Sequence, residues 1–373
     1  MLSRSELKEI SSLESKGGWY VSFYLNVDPV FNRRGDFIVH AKNMVKEKMD
    51  SLDKAVLKTV RADFEKIDAY VLSNKRLFKR GLVLLCSGRG GFWREYHLGV
   101  PVRNELVVDR MPYIKPLLDV LDTHERYVIL LVDKESARIM VVHLGEIVEY
   151  GEVHTPDVPG KHKKGGWFAL SQNKYERHTE VHVTLHLKDV IDRLNSFMVG
   201  EHIGRIMVGG SDEAVSMAKG MLHASVLEKV IGSINIEMFA RTDEVLKKVE
   251  SLVASFEKKQ EETLVETVIT KARKNEGAVL GLDDVLNALQ EQRVMTLVVP
   301  GDYKMEGHMC RSCGSLSRQE IQPCPYCKGD MVPVDDIISL AGQRALQQGA
   351  GVEFLTESTR LLDAGTVGAL LRF

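Results

Sequence analysis

Apolar residues along the chain alternate between helical and strand periods. Leu7, Ile10 and Leu13 recur at helical spacing within Ser5–Leu13 and predict an amphipathic helix. Trp19 to Val27 reads as a strand. Phe37 to about Leu72 again carries helix-period apolar residues. Gly81-Leu-Val-Leu-Leu-Cys86 is a strand-length apolar run, and Ser87-Gly-Arg-Gly-Gly91 after it predicts a hairpin turn. Cys86 within that run is expected to be a buried small hydrophobe. Together these elements predict an α+β module.

A second set of elements begins with the strand Tyr127–Asp133. Ala137–Leu144 is a strand, Gly145-Glu146 a turn, and Ile147–Tyr150 resumes the strand pattern. A basic, glycine-containing loop from Asp157 to Gly166 precedes a long helix-like stretch from Phe168 to about Met198. Ile203, Ile206, Met207 and Val208 form a strand that ends at Gly209-Gly-Ser211, and a helix starts near Asp212. Strand, glycine turn and helix in that order predict an α/β layer with partly parallel strands. Thr242 to Asn275 lacks Pro and Gly and carries Leu246, Val249, Val253 and Phe256 at helical spacing, so it reads as one long helix. Beyond it come a helix at Asp283–Leu289, a strand at Met295–Val299, a helix at Asp335–Ala341 and a strand at Val352–Leu355. The predicted class is α/β and α+β in three domains: residues 1–122, 123–265 and 266–373.

Composition narrows the class of function. Apolar residues make up 44% of the 373 and charged residues 27%, an ordinary globular balance that excludes a disordered or fibrous chain. Lys plus Arg (50) nearly cancels Asp plus Glu (52), so any nucleic-acid contact must come from local basic patches. No apolar run approaches the roughly 18 residues of a membrane span, and the first residues show no signal-peptide core. A cytoplasmic location, with no membrane partner, is the expectation.

Four of the five cysteines stand as Cys310-x-x-Cys313 and Cys324-x-x-Cys327, ten residues apart. Each pair can supply one edge of a tetrahedron, and together they predict a structural Zn²⁺ site in an insert near residues 308–330. Four thiolates leave no open coordination position, so the site is not catalytic, and His308 is a bystander.

The segment Pro159-Gly-Lys-His-Lys-Lys-Gly-Gly-Trp-Phe-Ala-Leu170 joins Lys161, His162, Lys163 and Lys164 to Gly165 and Gly166. Lysines beside permissive backbone can approach phosphates closely, and Trp167 offers a face on which a base can stack. Such loops also occur as plain solvated surface. Further basic groups are Arg33 with Arg34, then Lys75, Arg76, Lys79 and Arg80, and Arg89 with Arg94.

The loop resembles the one that carries the Gly-Gly-Gln motif of the class-I release factors of archaea and eukaryotes, Pro-Lys-Lys-His-Gly-Arg-Gly-Gly-Gln. Pro159, Lys161, His162, Gly165 and Gly166 keep its register. Ala169-Leu170, Arg177-His178, Val208-Gly-Gly-Ser211 and the closing Gly365-Thr-Val-Gly-Ala-Leu-Leu-Arg-Phe373 resemble further motifs of that family in the same order. The chain looks like a bacterial-type relative of the release factor and Pelota family. The resemblance implies a three-domain release-factor-like architecture. Its first domain would be on the decoding side, its second would carry the loop, and its third would resemble RNA-binding proteins and hold the zinc-ribbon-like insert. It implies the ribosome, rRNA and peptidyl-tRNA as partners, with a translational GTPase beside them. It also implies A-site binding, in rescue or hibernation by tRNA-like occupancy, or else peptidyl-tRNA hydrolysis.

Two departures bear on that choice. Trp167 stands where the family has Gln, so the only candidate catalytic positions are the loop residues Gly165, Gly166 and Trp167, without the side-chain amide. Gln172 falls in the following helix and is no replacement. The first segment lacks the family's Asn-Ile-Lys-Ser motif and has Phe31-Asn-Arg-Arg-Gly35 instead, which argues against stop-codon decoding. A stand-alone RNA hydrolase is the alternative from another class. It would need a carboxylate cluster of two-metal spacing or a Ser/Cys–His arrangement, and the sequence offers neither.

Overall fold

The computed structural model describes residues 2–13, 18–88, 90–154, 169–200, 203–356 and 359–373. They divide into two compact units, one formed by Met1–Thr123 with Lys258–Phe373 and the other by His124–Glu257.

The first unit begins with α1 (Arg4–Ser11), whose start is capped by the Ser3 hydroxyl accepting from the Glu6 N–H at 3.2 Å. There follow β1 (Tyr20–Asn26), α2 (Phe37–Ser51), α3 (Lys54–Asn74), β2 (Gly81–Ser87), β3 (Phe92–Leu98), β4 (Glu105–Asp109) and α4 (Lys115–Thr123). The strands form an antiparallel sheet in the order β3-β2-β1-β4. Val21, Phe23 and Leu25 alternate along β1, as do Leu82, Leu84 and Cys86 along β2. Their common face packs on Val45 of α2 and on Val60, Phe64, Ile67 and Val71 of α3. Cys86 is the buried hydrophobe its neighbours predict, and burial pushes its thiol up. The stretch with helix-period apolar residues from Phe37 to about Leu72 forms two helices, because Leu52 takes extended backbone before Asp53.

The second unit contains β5 (Tyr127–Val132), β6 (Ser136–His143), β7 (Glu146–His154), α5 (Ala169–Gly200), β8 (Ile206–Gly210), α6 (Asp212–Met221), α7 (Ala224–Leu227), β9 (Val230–Asn235) and the first half of α8 (Thr242–Arg273). Its sheet runs β7-β6-β5-β8-β9, antiparallel from β5 to β7 and parallel from β5 to β9. Strand parity sorts the core into two layers. Val128, Leu130 and Val132 face Val183, Leu187, Val190 and Leu194 of α5 and also Ala214 and Ala218 of α6. Ile129, Leu131 and Met207 face Val245, Val249 and Val253 of α8. This is the expected α/β layer with partly parallel strands.

The remainder of the first unit comprises β10 (Ala278–Leu280), α9 (Leu282–Gln290), β11 (Val294–Pro300), β12 (Gly307–Cys310), β13 (Leu316–Ser317), β14 (Met331–Val334), α10 (Ile337–Gln347), β15 (Gly351–Leu355), α11 (Thr359–Ala364) and β16 (Gly368–Leu371). The larger sheet is ordered β10-β16-β11-β15 and packs on Val265, Val268 and Ile269 of α8. The smaller one, β13-β12-β14, is the cysteine-bearing insert. Both ends of the chain are sewn together by polar contacts. Lys115, 4% exposed, donates to the Tyr303 carbonyl and lies 3.7 Å from Asp336. The Tyr113 hydroxyl donates to the same carboxylate at 3.3 Å, and the Phe354 N–H donates to Asp122 at 2.8 Å.

Gly210 ends β8 with φ at +144°, and a β-carbon there would sit 2.1 Å from the Val132 carbonyl oxygen. Neither the backbone angle nor the space admits a side chain. Gly210→Ala should therefore destabilise the second unit by about 3 kcal/mol. Denaturant unfolding checks this, and a loss below ~0.5 kcal/mol would refute the close approach of β8 to β5.

Candidate functional site

The four cysteines come together. Their sulfur atoms all lie within 4.8 Å of one another, with Cys310–Cys327 at 3.4 Å and Cys313–Cys324 at 3.7 Å. A tetrahedron with metal–sulfur bonds of about 2.3 Å has edges of roughly 3.8 Å, so the donor set fits a thiophilic tetrahedral ion.

Two knuckles of the same construction place these sulfurs. The Gly314 N–H donates to the Cys310 carbonyl at 2.9 Å, and the Lys328 N–H donates to the Cys324 carbonyl at 3.0 Å. The Cys310 N–H donates to Ser315 O at 2.8 Å, and the Cys324 N–H donates to Gly329 O at 2.9 Å. Gly314 (φ 67°) and Lys328 (φ 62°) both take the left-handed conformation that closes such a turn. Burial raises the Cys324 thiol, but the Ser315 hydroxyl at 3.1 Å and the backbone N–H groups of Cys327 and Tyr326 outweigh it, bringing it down to about 6.

Helices on either side hold the insert. Arg344 of α10 donates to the Gly314 carbonyl and, at 2.7 Å, to Gln290 of α9. The Tyr326 hydroxyl donates to Asn287 of α9 at 3.2 Å, and Arg318 pairs with Asp283 at 3.0 Å. Ser315, Arg344 and Tyr326 were not evident from the sequence. The Cys spacing marks the ligands, while Ser315 and Tyr326 beside them and Arg344 farther along the chain show no pattern of their own.

The basic loop falls elsewhere. Lys161, His162, Lys163, Lys164, Gly165, Gly166 and Trp167 lie outside the described residues. Its anchors are described: it leaves β7 after His154 and enters α5 at Ala169. Val183 to Met198 fix α5 on the sheet.

In the first unit, Arg33 is exposed in a short 3-10 turn, Arg33–Gly35, while the side chain of Arg34 lies outside the described residues, as does Arg89. Arg94 is exposed at the β3 edge. Arg80 is not a free cation of the basic cluster, because its Nε donates to buried Asp28 at 2.7 Å. Burial raises the Asp28 carboxyl, but the Val30 N–H and Arg80 outweigh this and hold it below the usual carboxylate range. The hairpin expected at Ser87–Gly91 joins β2 to β3, in place of any catalytic glycine motif. Among the described residues no helix is long and apolar enough to cross a membrane.

Comparison with known proteins agrees with the motif order. Residues 112–254 match the family described as bacterial archaeo-eukaryotic release factor family 10. Peptide chain release factor subunit 1 of Methanocaldococcus jannaschii is 24% identical over 416 residues, covering 100% of this chain and 97% of that protein. Its counterpart in Archaeoglobus fulgidus is 25% identical over 283 residues, covering 70% and 69%. Among solved structures, an archaeal Pelota in a ribosome-bound model has a TM-score of 0.43 at 14% identity, covering 100% of this chain and 94% of that one. An archaeal translation termination factor has a TM-score of 0.28 at 16% identity, covering 100% and 99%.

Cys313→Ser removes one of four donors. Metal retained after purification should fall at least tenfold, and the insert should loosen without change in the unfolding of the second unit. Metal analysis with domain-resolved hydrogen exchange reads both, and full retention by the variant would refute the site.

Proposed function

We propose that this chain, a relative of the archaeal and eukaryotic class-I release factor and Pelota family, is a cytoplasmic translation factor that fills the ribosomal A site in a tRNA-like manner. Its work there is occupancy, in rescue or hibernation, with delivery by a translational GTPase belonging to the same reading. The observation that carries occupancy over hydrolysis is Trp167 directly after Gly165-Gly166. In the related release factors a Gln in that place helps water attack the ester of peptidyl-tRNA. An indole has no amide to place that water, and its bulk competes for the same space. The backbone N–H of Trp167 persists as a donor, but one donor without the side-chain partner leaves most of the chemistry unsupported.

The three segments, 1–122, 123–265 and 266–373, take the decoding-side, loop-bearing and RNA-binding-protein-like roles in this reading. The ion held by Cys310, Cys313, Cys324 and Cys327 is Zn²⁺ in a structural role, because four thiolates fill its coordination sphere and admit no substrate. Lys161, Lys163, Lys164 and His162 would meet phosphates of rRNA, and Arg33 and Arg34 would meet RNA on the first domain.

Peptide release from programmed ribosomes tests the catalytic half of the proposal. Wild-type release should be slower than that of a glutamine-bearing factor by ~100- to 1,000-fold, the usual effect of losing one placed polar group. Trp167→Gln should raise it. Fast wild-type release that Trp167→Ala abolishes would overturn the occupancy reading.

Ribosome co-sedimentation across a salt series tests the binding half. Neutralising Lys161, Lys163 and Lys164 together should weaken binding and flatten the slope of log K against log salt, by roughly 0.7–0.9 for every phosphate no longer neutralised. An unchanged affinity and slope would make the loop plain solvated surface.

A further inference from the structure

Asn26, the last residue of β1, is the register partner of Gly81, the first of β2. Residues 27–36 and 75–80 therefore leave the sheet at one corner. They are fastened to each other there. The Val27 N–H donates to the Arg80 carbonyl at 3.1 Å, Arg80 Nε donates to Asp28 at 2.7 Å, and the Phe37 and Phe78 rings meet edge-on at 6.0 Å.

The turn between β1 and α2 is held from within. Asp28 is 1% exposed and accepts the Val30 N–H on its carboxylate at 2.9 Å. Its carbonyl accepts from the N–H groups of Phe31 and Asn32 at 3.1 and 2.9 Å, and the Asn32 amide donates to Asn26 O at 3.0 Å. A turn tied in this way does not need the side chains of Val30 and Phe31 for its own stability. Both stand in solvent, 71% and 69% exposed, and Leu77 on the neighbouring segment is 60% exposed. Arg33, Lys75, Arg76 and Lys79 are exposed on the same two segments. These segments carry six basic residues against Asp28 and Asp36, and Asp28 is already committed to Arg80.

We propose that this corner is a binding face for single-stranded RNA, with Phe31 as the stacking platform for one base and Arg33, Lys75 and Arg76 as contacts to the flanking phosphates. A ring carried on a fixed backbone turn costs less ordering entropy when a base lies on it than one on a free segment, and the cations on the same two segments can meet the phosphates of a strand that crosses it. A duplex hides its base faces and leaves Phe31 without a partner. The proposal rests on the ribosomal reading for its setting, since ribosomal RNA and messenger supply such strands.

The test uses the full chain and two kinds of probe: a labelled 12-nucleotide oligouridylate, with a 12-base-pair RNA duplex and polyglutamate as competitors, and intact ribosomes. Phe31→Ala should weaken oligouridylate binding roughly 5- to 150-fold, the range for one stacked base. The double variant Lys75→Ala/Arg76→Ala should lower the salt slope by about 0.7 for each phosphate left without its cation. These exposed positions should leave thermal unfolding unchanged. Oligouridylate binding that is absent, or indifferent to both variants, overturns the proposal. Equal competition by polyglutamate also overturns it, in favour of an acidic protein partner. Binding of the oligonucleotide with the expected losses, but no co-sedimentation of the wild-type chain with ribosomes, sustains the RNA face and sinks the ribosomal reading instead.

Discussion

Lys115 is 4% exposed, and an ammonium held that far from water persists only when paired and hydrogen-bonded. Burial pulls its proton affinity down, and Asp336 works against that pull. Its partners come from the far end of the sequence: the Tyr303 carbonyl and the Asp336 carboxylate, which also caps α10 by accepting from the N–H groups of Ile338 and Ser339. Removing one member of such a pair typically costs about 3–5 kcal/mol, because the other is left charged and dry. The first and last parts of the chain are thus bound into one compact unit. Residues 124–257 form the other, and the boundary falls inside α8 between Glu257 and Lys258. The loop that carries the family resemblance belongs to that separate unit, while the metal insert belongs to the first.

Much of this was legible in the sequence, for a physical reason in each case. A buried central strand such as β5 must be continuously apolar, and α8 could be read because nothing in it breaks a helix. The cysteine spacing encodes a tetrahedron almost directly. Edge strands were harder. β3 reads Phe-Trp-Arg-Glu-Tyr-His-Leu, with the consecutive Arg94 and Glu95 exposed on opposite faces, and β9 carries Gly232 and Ser233 in its middle. Neither shows a clean period. The break between α2 and α3 has no Gly or Pro to announce it. Long-range pairings such as Lys115–Asp336 and Asp28–Arg80 leave no local trace, since each partner alone looks like an ordinary surface charge.

The two chemical features of the chain divide their labour. The four cysteine sulfurs lie close enough to hold a metal ion, and Arg344, Tyr326 and Arg318 tie the insert to α9 and α10. The other feature lies in sequence between the end of β7 and the head of α5 and joins Lys161, Lys163 and Lys164 to two glycines. Trp167 follows the two glycines in sequence and brings bulk and a flat apolar face in place of a hydrogen-bonding amide. On the proposed reading, filling a site and catalysing in it make different demands on that residue, and the indole meets the first.

A net charge of -2 is at first sight ill-suited to the phosphate-rich partner of the proposed reading. The ion pairs remove equal numbers of both signs, so a positive face depends on where the remaining charges sit along the chain. Asp28 is spent on Arg80, Asp336 on Lys115, and Glu257 on Arg205 at 2.8 Å, each in a buried or half-buried setting. Where their neighbours in sequence are basic and exposed, as around Arg33 and Lys75, the local potential is positive although the sum over the chain is not. Local fields of this kind favour contact at a few defined places and disfavour the indiscriminate adhesion to nucleic acid that a uniformly basic chain would show. On the ribosomal reading proposed above, that selectivity would suit an assembly covered in RNA, because only a limited number of correctly spaced phosphates should be engaged at once.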